Sequence, residues 1–277
     1  MKILVPVDLY ESTYASYKYA RNFAGLINAK ITLLYVINSV FTANEVVSYD
    51  PYLEMETTAK RRLEEFSKKF QQDFGNDLPD VDVDLKVMFG IPGLAIPEYA
   101  ETNKFDLIVI GVRDKHGFLD RLLGSVSNET INEAKCPTIL IHQRTEYKVP
   151  EKILFAFDKK TDLDDALENY KELNDIIKAK TDFLHINVKQ TDDISEQKAE
   201  IVSELFENDD PKFAFEIKTL SGTNVNTGIR DYCHFEHIDL ITMIHRKEGL
   251  FTNFLRPDKS IKLAQDFHLP VIVFQED

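Results

Sequence analysis

Lys2-Ile3-Leu4-Val5-Pro6-Val7-Asp8 returns 150 residues later as Lys152-Ile153-Leu154-Phe155-Ala156-Phe157-Asp158, and that repetition decides how the chain is read. Leu33-Leu34-Tyr35-Val36 returns at the same offset as Phe183-Leu184-His185-Ile186. Further along, Asp106-Leu107-Ile108-Val109-Ile110 matches Asp239-Leu240-Ile241-Thr242-Met243, and Pro137-Thr138-Ile139-Leu140-Ile141 matches Pro270-Val271-Ile272-Val273-Phe274, both at an offset of 133. The second copy is therefore shorter in its middle. Solenoid units bury a core only by stacking on neighbours and have far shorter periods; each copy here is long enough to close a core of its own. We expect two domains, 1–147 and 148–277, joined by the short polar linker Thr145 to Glu151.

Outward from each repeated run the pattern alternates. Short apolar runs such as Lys2 to Val7 and Pro137 to Ile141 have the composition of strands buried on both faces of a parallel sheet. Between them lie helical periodicities. Ser12 stands where a helix cap belongs, ahead of Ala15, Tyr19, Phe23 and Ile27. Ala59, Leu63, Phe66 and Phe70 mark a charged amphipathic helix, Val81, Val83, Leu85 and Val87 alternate as a strand does, and Gly124-Ser125 opens a helix with Val126, Ile131 and Ala134. The order β-α-β-α-β-α-β-α-β with right-handed crossovers predicts an α/β fold: two tandem doubly wound parallel five-stranded sheet domains, flavodoxin/Rossmann-like, with strand order 3-2-1-4-5. In the second copy the central helix is reduced to the region of Ile194 to Phe206.

Composition narrows the partners. The net charge of −14 is shared: residues 1–147 hold 16 Lys and Arg against 21 Asp and Glu, and the remainder 17 against 26. Such a field repels phosphate backbones and anionic lipid heads over about a Debye length, so neither nucleic acid nor a membrane is an expected partner. No apolar run approaches the roughly 20 residues of a membrane helix, and no signal-peptide pattern opens the chain, which predicts a cytoplasmic protein. Cys136 and Cys233 lie at non-equivalent places in the copies and read as reduced thiols.

Chemistry concentrates after the fourth strand, in Gly111-Val112-Arg113-Asp114-Lys115-His116-Gly117 and on to Gly124-Ser125-Val126-Ser127. Ligands of open α/β sheets sit beyond the carboxyl ends of the strands where the winding reverses, and a helix N-terminus offers unpaired N–H groups to an anion. The plain alternative is a loop whose glycines only make turns.

Here the chain resembles the universal stress protein family in its tandem two-domain form, on Leu4-Val5-Pro6-Val7-Asp8, Leu34-Tyr35-Val36, Gly124-Ser125-Val126-Ser127 and Ala134-Lys135-Cys136-Pro137. The nucleotide-binding branch of that family uses Gly-x2-Gly-x9-Gly-Ser/Thr. Gly111, Gly124 and Ser125 fall in its register, while Asp114 replaces the second glycine. The resemblance implies ATP, with Mg, in the first domain. It would set Asp8 near the ribose or a metal, the Val36 backbone against adenine, and Gly111 beside the sugar and phosphates, with Gly124, Ser125, Val126 and Ser127 on the triphosphate. Arg113, Lys115 and Arg121 offset Asp114 in one reading; in the other, Asp114 pairs with Arg113 or Lys115 and closes the site. The second copy has lost the pattern: Ile244, Lys247, Pro257 and Asp258 stand where Gly111, Asp114, Gly124 and Ser125 do, and Pro257 has no N–H to offer.

Three readings follow. The first is a stress-response sensor or scaffold that binds an adenine nucleotide in its first domain. The second is a nucleotide-free module for an unidentified protein partner, and the third, ranked last because no general base for water is evident, is a slow ATPase. Cys233-His234-Phe235-Glu236-His237 suggests metal ligands but has no distant partner for them, and reads better as a helix end with solvated histidines. His116 reads either as a phosphate donor or, with more weight, as an ordinary exposed histidine. The apolar last strands, Thr138 to Ile141 and Val271 to Phe274, predict that the copies pair as an intramolecular pseudo-dimer, with a homodimer left open.

Overall fold

The apolar runs form strands because a strand covered by helices on both faces of a parallel sheet must be apolar on both its sides. In β1 (Lys2–Pro6) every residue from Ile3 on is buried, and in β4 (Leu107–Val112) every residue up to Ile110. The computed structural model describes residues 1–38, 51–112, 125–159, 163–188, 193–245 and 268–275. These sort into two compact units that divide between Tyr147 and Lys148.

In the first unit β3 (Val83–Gly90) pairs with β2 (Lys30–Asn38), β2 with β1, β1 with β4, and β4 with β5 (Thr138–His142), all parallel. The second unit repeats that order: β8 (Phe215–Ser221), β7 (Lys180–Asn187), β6 (Lys152–Ala156), β9 (Leu240–His245) and β10 (Val271–Gln275). Each is the five-stranded 3-2-1-4-5 sheet expected above. Helices α1 (Tyr14–Ile27), α2 (Pro51–Phe74), α3 (Pro92–Thr102) and α4 (Ser125–Glu133) belong to the first unit, and α5 (Asp164–Ile177), α6 (Ser195–Phe206) and α7 (Val225–Phe235) to the second. The shorter middle of the second copy is α6, with 12 residues against the 24 of α2.

Contacts repeat along with the topology. The Lys2 N–H donates to the Asp106 carboxylate at 2.6 Å, and the Lys152 N–H to that of Asp239 at 3.0 Å. Helices α1 and α5 both end on a left-handed residue, Asn28 at φ 52° and Lys178 at φ 64°, and Lys104 (φ 52°) and His237 (φ 54°) form a second such pair after α3 and α7.

One expectation is corrected. Ser12 does not cap α1; residues Glu11–Thr13 make a 3-10 turn and Thr13 is the N-cap. The buried face of α1 is Ser16, Tyr17, Tyr19, Ala20, Phe23, Ala24 and Ile27, with Arg21 among them; it keeps Tyr19, Phe23 and Ile27 of the expected stripe and is wider than that stripe. Its aromatic side meets α2. Phe70 is fully buried with its ring centroid 4.0 Å from that of Tyr17, 5.3 Å from Tyr14 and 5.2 Å from Phe74.

The copies differ in one buried charge. Asp182 of β7 occupies the register position that Thr32 holds in β2, opposite Leu154 and Leu4 respectively. Its Oδ2 accepts from the Tyr232 hydroxyl at 2.7 Å and lies 3.1 Å from Lys152 Nζ and 3.2 Å from Lys218 Nζ. The two lysines also reach Glu236 and Glu216. Burial pushes the Asp182 carboxyl up, but the hydrogen bonds from Tyr232, Lys152 and Lys218 outweigh it and hold the group below the usual carboxylate range. A carboxyl lowered on folding adds stability that is fully present above its unfolded value near pH 4 and is lost as pH falls through the folded value. Asp182→Asn should therefore cost roughly 1–3 kcal/mol at neutral pH, and the gap to the parent should narrow in urea titrations at pH 3.

Candidate functional site

The winding of the first sheet reverses between β1 and β4, since β2 and β3 extend from one side of that pair and β5 from the other. The hydrogen-bonded ladder between β1 and β4 ends early there, while Val5 and Val109 just beyond it stay fully buried. The β1–β4 register covers only Ile3 opposite Leu107 and Leu4 opposite Ile108, whereas β6 and β9 in the second unit stay paired through Phe155–Thr242 and Ala156–Met243.

Pro6 accounts for the difference. Backbone N–H groups alternate sides along a strand, and the Val7 N–H donates to Leu34 O in β2, so the position before it faces β4. Proline has no N–H to place there. Ala156, its counterpart, has one and the ladder continues. Pro6→Ala should extend the β1–β4 ladder, visible as a slowly exchanging amide at residue 6.

Several of the residues singled out from the sequence stand at this end of the sheet. Asp8 follows β1 half-buried, and its Oδ1 accepts from the Tyr10 N–H at 3.0 Å across Leu9, whose φ of 64° turns the chain away from the strand direction. The carboxylate is thereby held just beyond the carboxyl end of β1. Val36 lies in β2 opposite Met88 of β3, 8% exposed; the β1–β2 ladder ends at Pro6 opposite Leu34, so the β1-side edge of β2 has run past its partner at Val36.

Gly111 sits near the end of β4 opposite Ile141. A Cβ there would come within 3.3 Å of Ser16 Oγ, which fits only a small residue. Its carbonyl accepts from the Ser127 hydroxyl at 3.2 Å, a bond that ties the first turn of α4 to the end of β4. Helix α4 starts at Ser125, so Ser125, exposed, Val126, half-buried, and Ser127, 5% exposed, form its first turn, where N–H groups have no intrahelical acceptor. Asp8, Val36, Gly111 and the start of α4 therefore gather at the carboxyl end of one sheet. Arg113, Asp114, Lys115, His116, Arg121 and Gly124 lie outside the described residues, as do Lys247, Pro257 and Asp258 of the second copy.

The same end of the second unit is built differently. Ile244 replaces Gly111 and is 3% exposed, opposite Phe274 of β10 and just past the longer β6–β9 pairing. Of the Cys233–His237 cluster, Cys233 is 3% exposed, Phe235 ends α7 and is 81% exposed, and His237 is left-handed. Among the described residues no group of three His, Cys, Asp or Glu is placed to hold a metal. Burial pushes the Cys136 thiol up to about 12 and raises that of Cys233 too, so neither is a thiolate at neutral pH. Nor does any described helix have the length and apolarity to cross a membrane.

Comparison with known proteins bears on the family and the fold. A family model described as "Universal stress protein family" matches residues 1–142. The universal stress protein MJ0531 of Methanocaldococcus jannaschii is 30% identical over 142 residues, which are 50% of this chain and 81% of that protein. A second one from the same organism, MJ0577, is 27% identical over 158 residues, 52% of this chain and 95% of its own length. Among solved structures, a universal stress protein from Archaeoglobus fulgidus superposes with a TM-score of 0.70 over 100% of this chain and 98% of that one, at 18% identity. That last likeness shows the fold alone.

Proposed function

Because the chain belongs to the universal stress protein family, we propose that its first unit binds one adenine nucleotide, ATP with its magnesium, in the crevice beyond β1 and β4, and that the protein works in the cytoplasm as a sensor or scaffold. The observation that supports this reading is the early end of the β1–β4 ladder, with Asp8, the β2 edge at Val36, Gly111 and the first turn of α4 at the same end of the sheet. Each part suits one portion of the ligand. The Val36 edge offers main-chain groups to a base, the Asp8 carboxylate suits a ribose hydroxyl or a metal by its chemistry, and the N–H groups of α4 attract phosphate.

The acidic chain carries no Trp, so adenine that co-purifies stands out in the ultraviolet spectrum. Calorimetry on the nucleotide-stripped protein should give one site per chain; two equivalent sites would contradict the reading. Asp114 favours the nucleotide-free alternative, because it adds a side chain and a like charge where the family carries glycine. If it acts by repulsion, Asp114→Gly should tighten ATP binding by about 1 kcal/mol, the scale of one like-charge contact at an effective dielectric near 20. No binding of ATP to either the parent or this variant would leave the interaction module as the function.

A further inference from the structure

Arg21 is out of place as an ordinary core residue. It projects from α1 with 5% of its surface exposed, and no carboxylate lies within ion-pair distance of it among the described residues. Its Nη1 donates to Gln71 Oε1 at 3.2 Å and its Nη2 to the Pro79 carbonyl at 2.7 Å, both neutral acceptors, while Nε–H has no acceptor at all. A buried cation without an anion carries an uncompensated desolvation cost. Guanidinium has five N–H donors in a fork that matches a carboxylate; here the group also meets the Tyr17 hydroxyl, its Nε is buried, and the remaining Nη hydrogens are what a ligand could use.

Arg21 lines a cleft of about 630 Å³ between α1, the C-terminal half of α2 and the segment entering β3, on ground separate from the nucleotide crevice. A cleft of that size suits a small molecule. Tyr17, Ser67 and Gln71 supply further polar groups beside the guanidinium, and Lys68 adds a cation. The other wall is acidic: Asp82, whose carboxylate is held by Lys30 at 2.9 Å, and Asp80, which is exposed. A dianion such as phosphate meets these carboxylates as well as Arg21. A ligand with one negative and one positive end meets complementary charge on both walls.

We propose that this cleft is a second small-molecule site of the first unit and that it takes a free amino acid, the carboxylate seated on Arg21 and the ammonium group facing Asp80. Size leaves room for a side chain along Tyr17 and Val81. The site is independent of the nucleotide reading, since it shares no residue with it.

The test is thermal unfolding of the full chain with each of the twenty amino acids at about 10 mM, followed by calorimetry on those that stabilise it, with the N-acetyl derivatives and inorganic phosphate as comparison probes. At least one free amino acid should bind, and its N-acetyl derivative, which lacks the cation, and phosphate should bind at least about tenfold more weakly. Arg21→Lys keeps the charge but loses the fork and should weaken binding about tenfold or more. Asp80→Asn, on the exposed rim, tests the opposite wall in a variant whose fold is not at risk and should weaken it as well. Gly124→Leu should leave it unchanged. Stabilisation by none of the amino acids, equal binding of phosphate or the N-acetyl form, or binding that survives both Arg21→Lys and Asp80→Asn would overturn the proposal.

Discussion

Phe70→Ala should destabilise the first unit by about 3–5 kcal/mol, the range for emptying an aromatic position in a closed core. Phe70 is fully buried and its ring is flanked by Tyr14, Tyr17 and Phe74, so truncation removes ring contacts on three sides at once. Those neighbours sit on two helices fixed by the sheet beneath, and collapse into the gap would have to move α1 or α2 as a body. The cavity should therefore persist. Phe70→Leu, which keeps much of the volume, should cost closer to about 1.5 kcal/mol. Denaturant unfolding gives the size of the loss, and amide exchange assigns it: protection should fall in β1, β2, α1 and α2 while β6 to β10 keep theirs. Uniform loss through both units would mean that they unfold as one.

Gly124→Leu should abolish nucleotide binding, by at least about 100-fold in affinity or roughly 3 kcal/mol. The residue immediately precedes α4, whose first-turn N–H groups point along the helix axis toward any bound anion. Phosphate oxygens gain from those groups only by close approach, and a branched side chain at their entrance holds the ligand off. Since Leu leaves β1, β4 and the Ser127 bond to Gly111 in place, the folded transition should be nearly unchanged, which separates lost binding from lost structure. The reverse change in the other copy, Pro257→Gly, should create nothing, because Ile244 fills the place of Gly111 and the β6–β9 ladder runs on to Met243. Affinity retained in Gly124→Leu would place any bound nucleotide elsewhere on the chain.

Both sheets were legible before any coordinates, because buried parallel strands leave continuous apolar runs and the chain writes each run twice. Even the reduced central helix of the second copy could be placed from the falling offset. What escaped was set by geometry between elements. Pro6 and Ala156 stand in the very segments that reveal the repeat, yet whether a missing N–H matters depends on which neighbouring strand that position faces. Arg21 is buried because α2 and the segment after it cover α1 on a second side, and a single stripe of spacings does not register that contact. Thr32 and Asp182 differ by one charge that is tolerable only because Lys152, Lys218 and Tyr232 converge on it from β6, β8 and α7. The partial glycine motif was visible as residue types, but that Asp8, Val36 and Gly111 share one sheet end follows from strand order.

The paired left-handed residues bear on how the two halves have aged. Asn28 and Lys178 share one backbone conformation and no side-chain chemistry, and so do Lys104 and His237. Glycine would adopt these angles without strain, and a lysine in that region pays a modest steric penalty. After the ancestral gene doubled, mutation was free to rewrite both positions, and it did, while the torsion angles stayed put. The glycines of the ligand loop fared the opposite way in the second half, where Ile244 and Pro257 now stand. The likeness of the two halves is thus kept more fully in dihedral angles at helix ends than in the residue types after the fourth strand of each, and a search for further divergent halves in other genomes would do better to align turns than motifs.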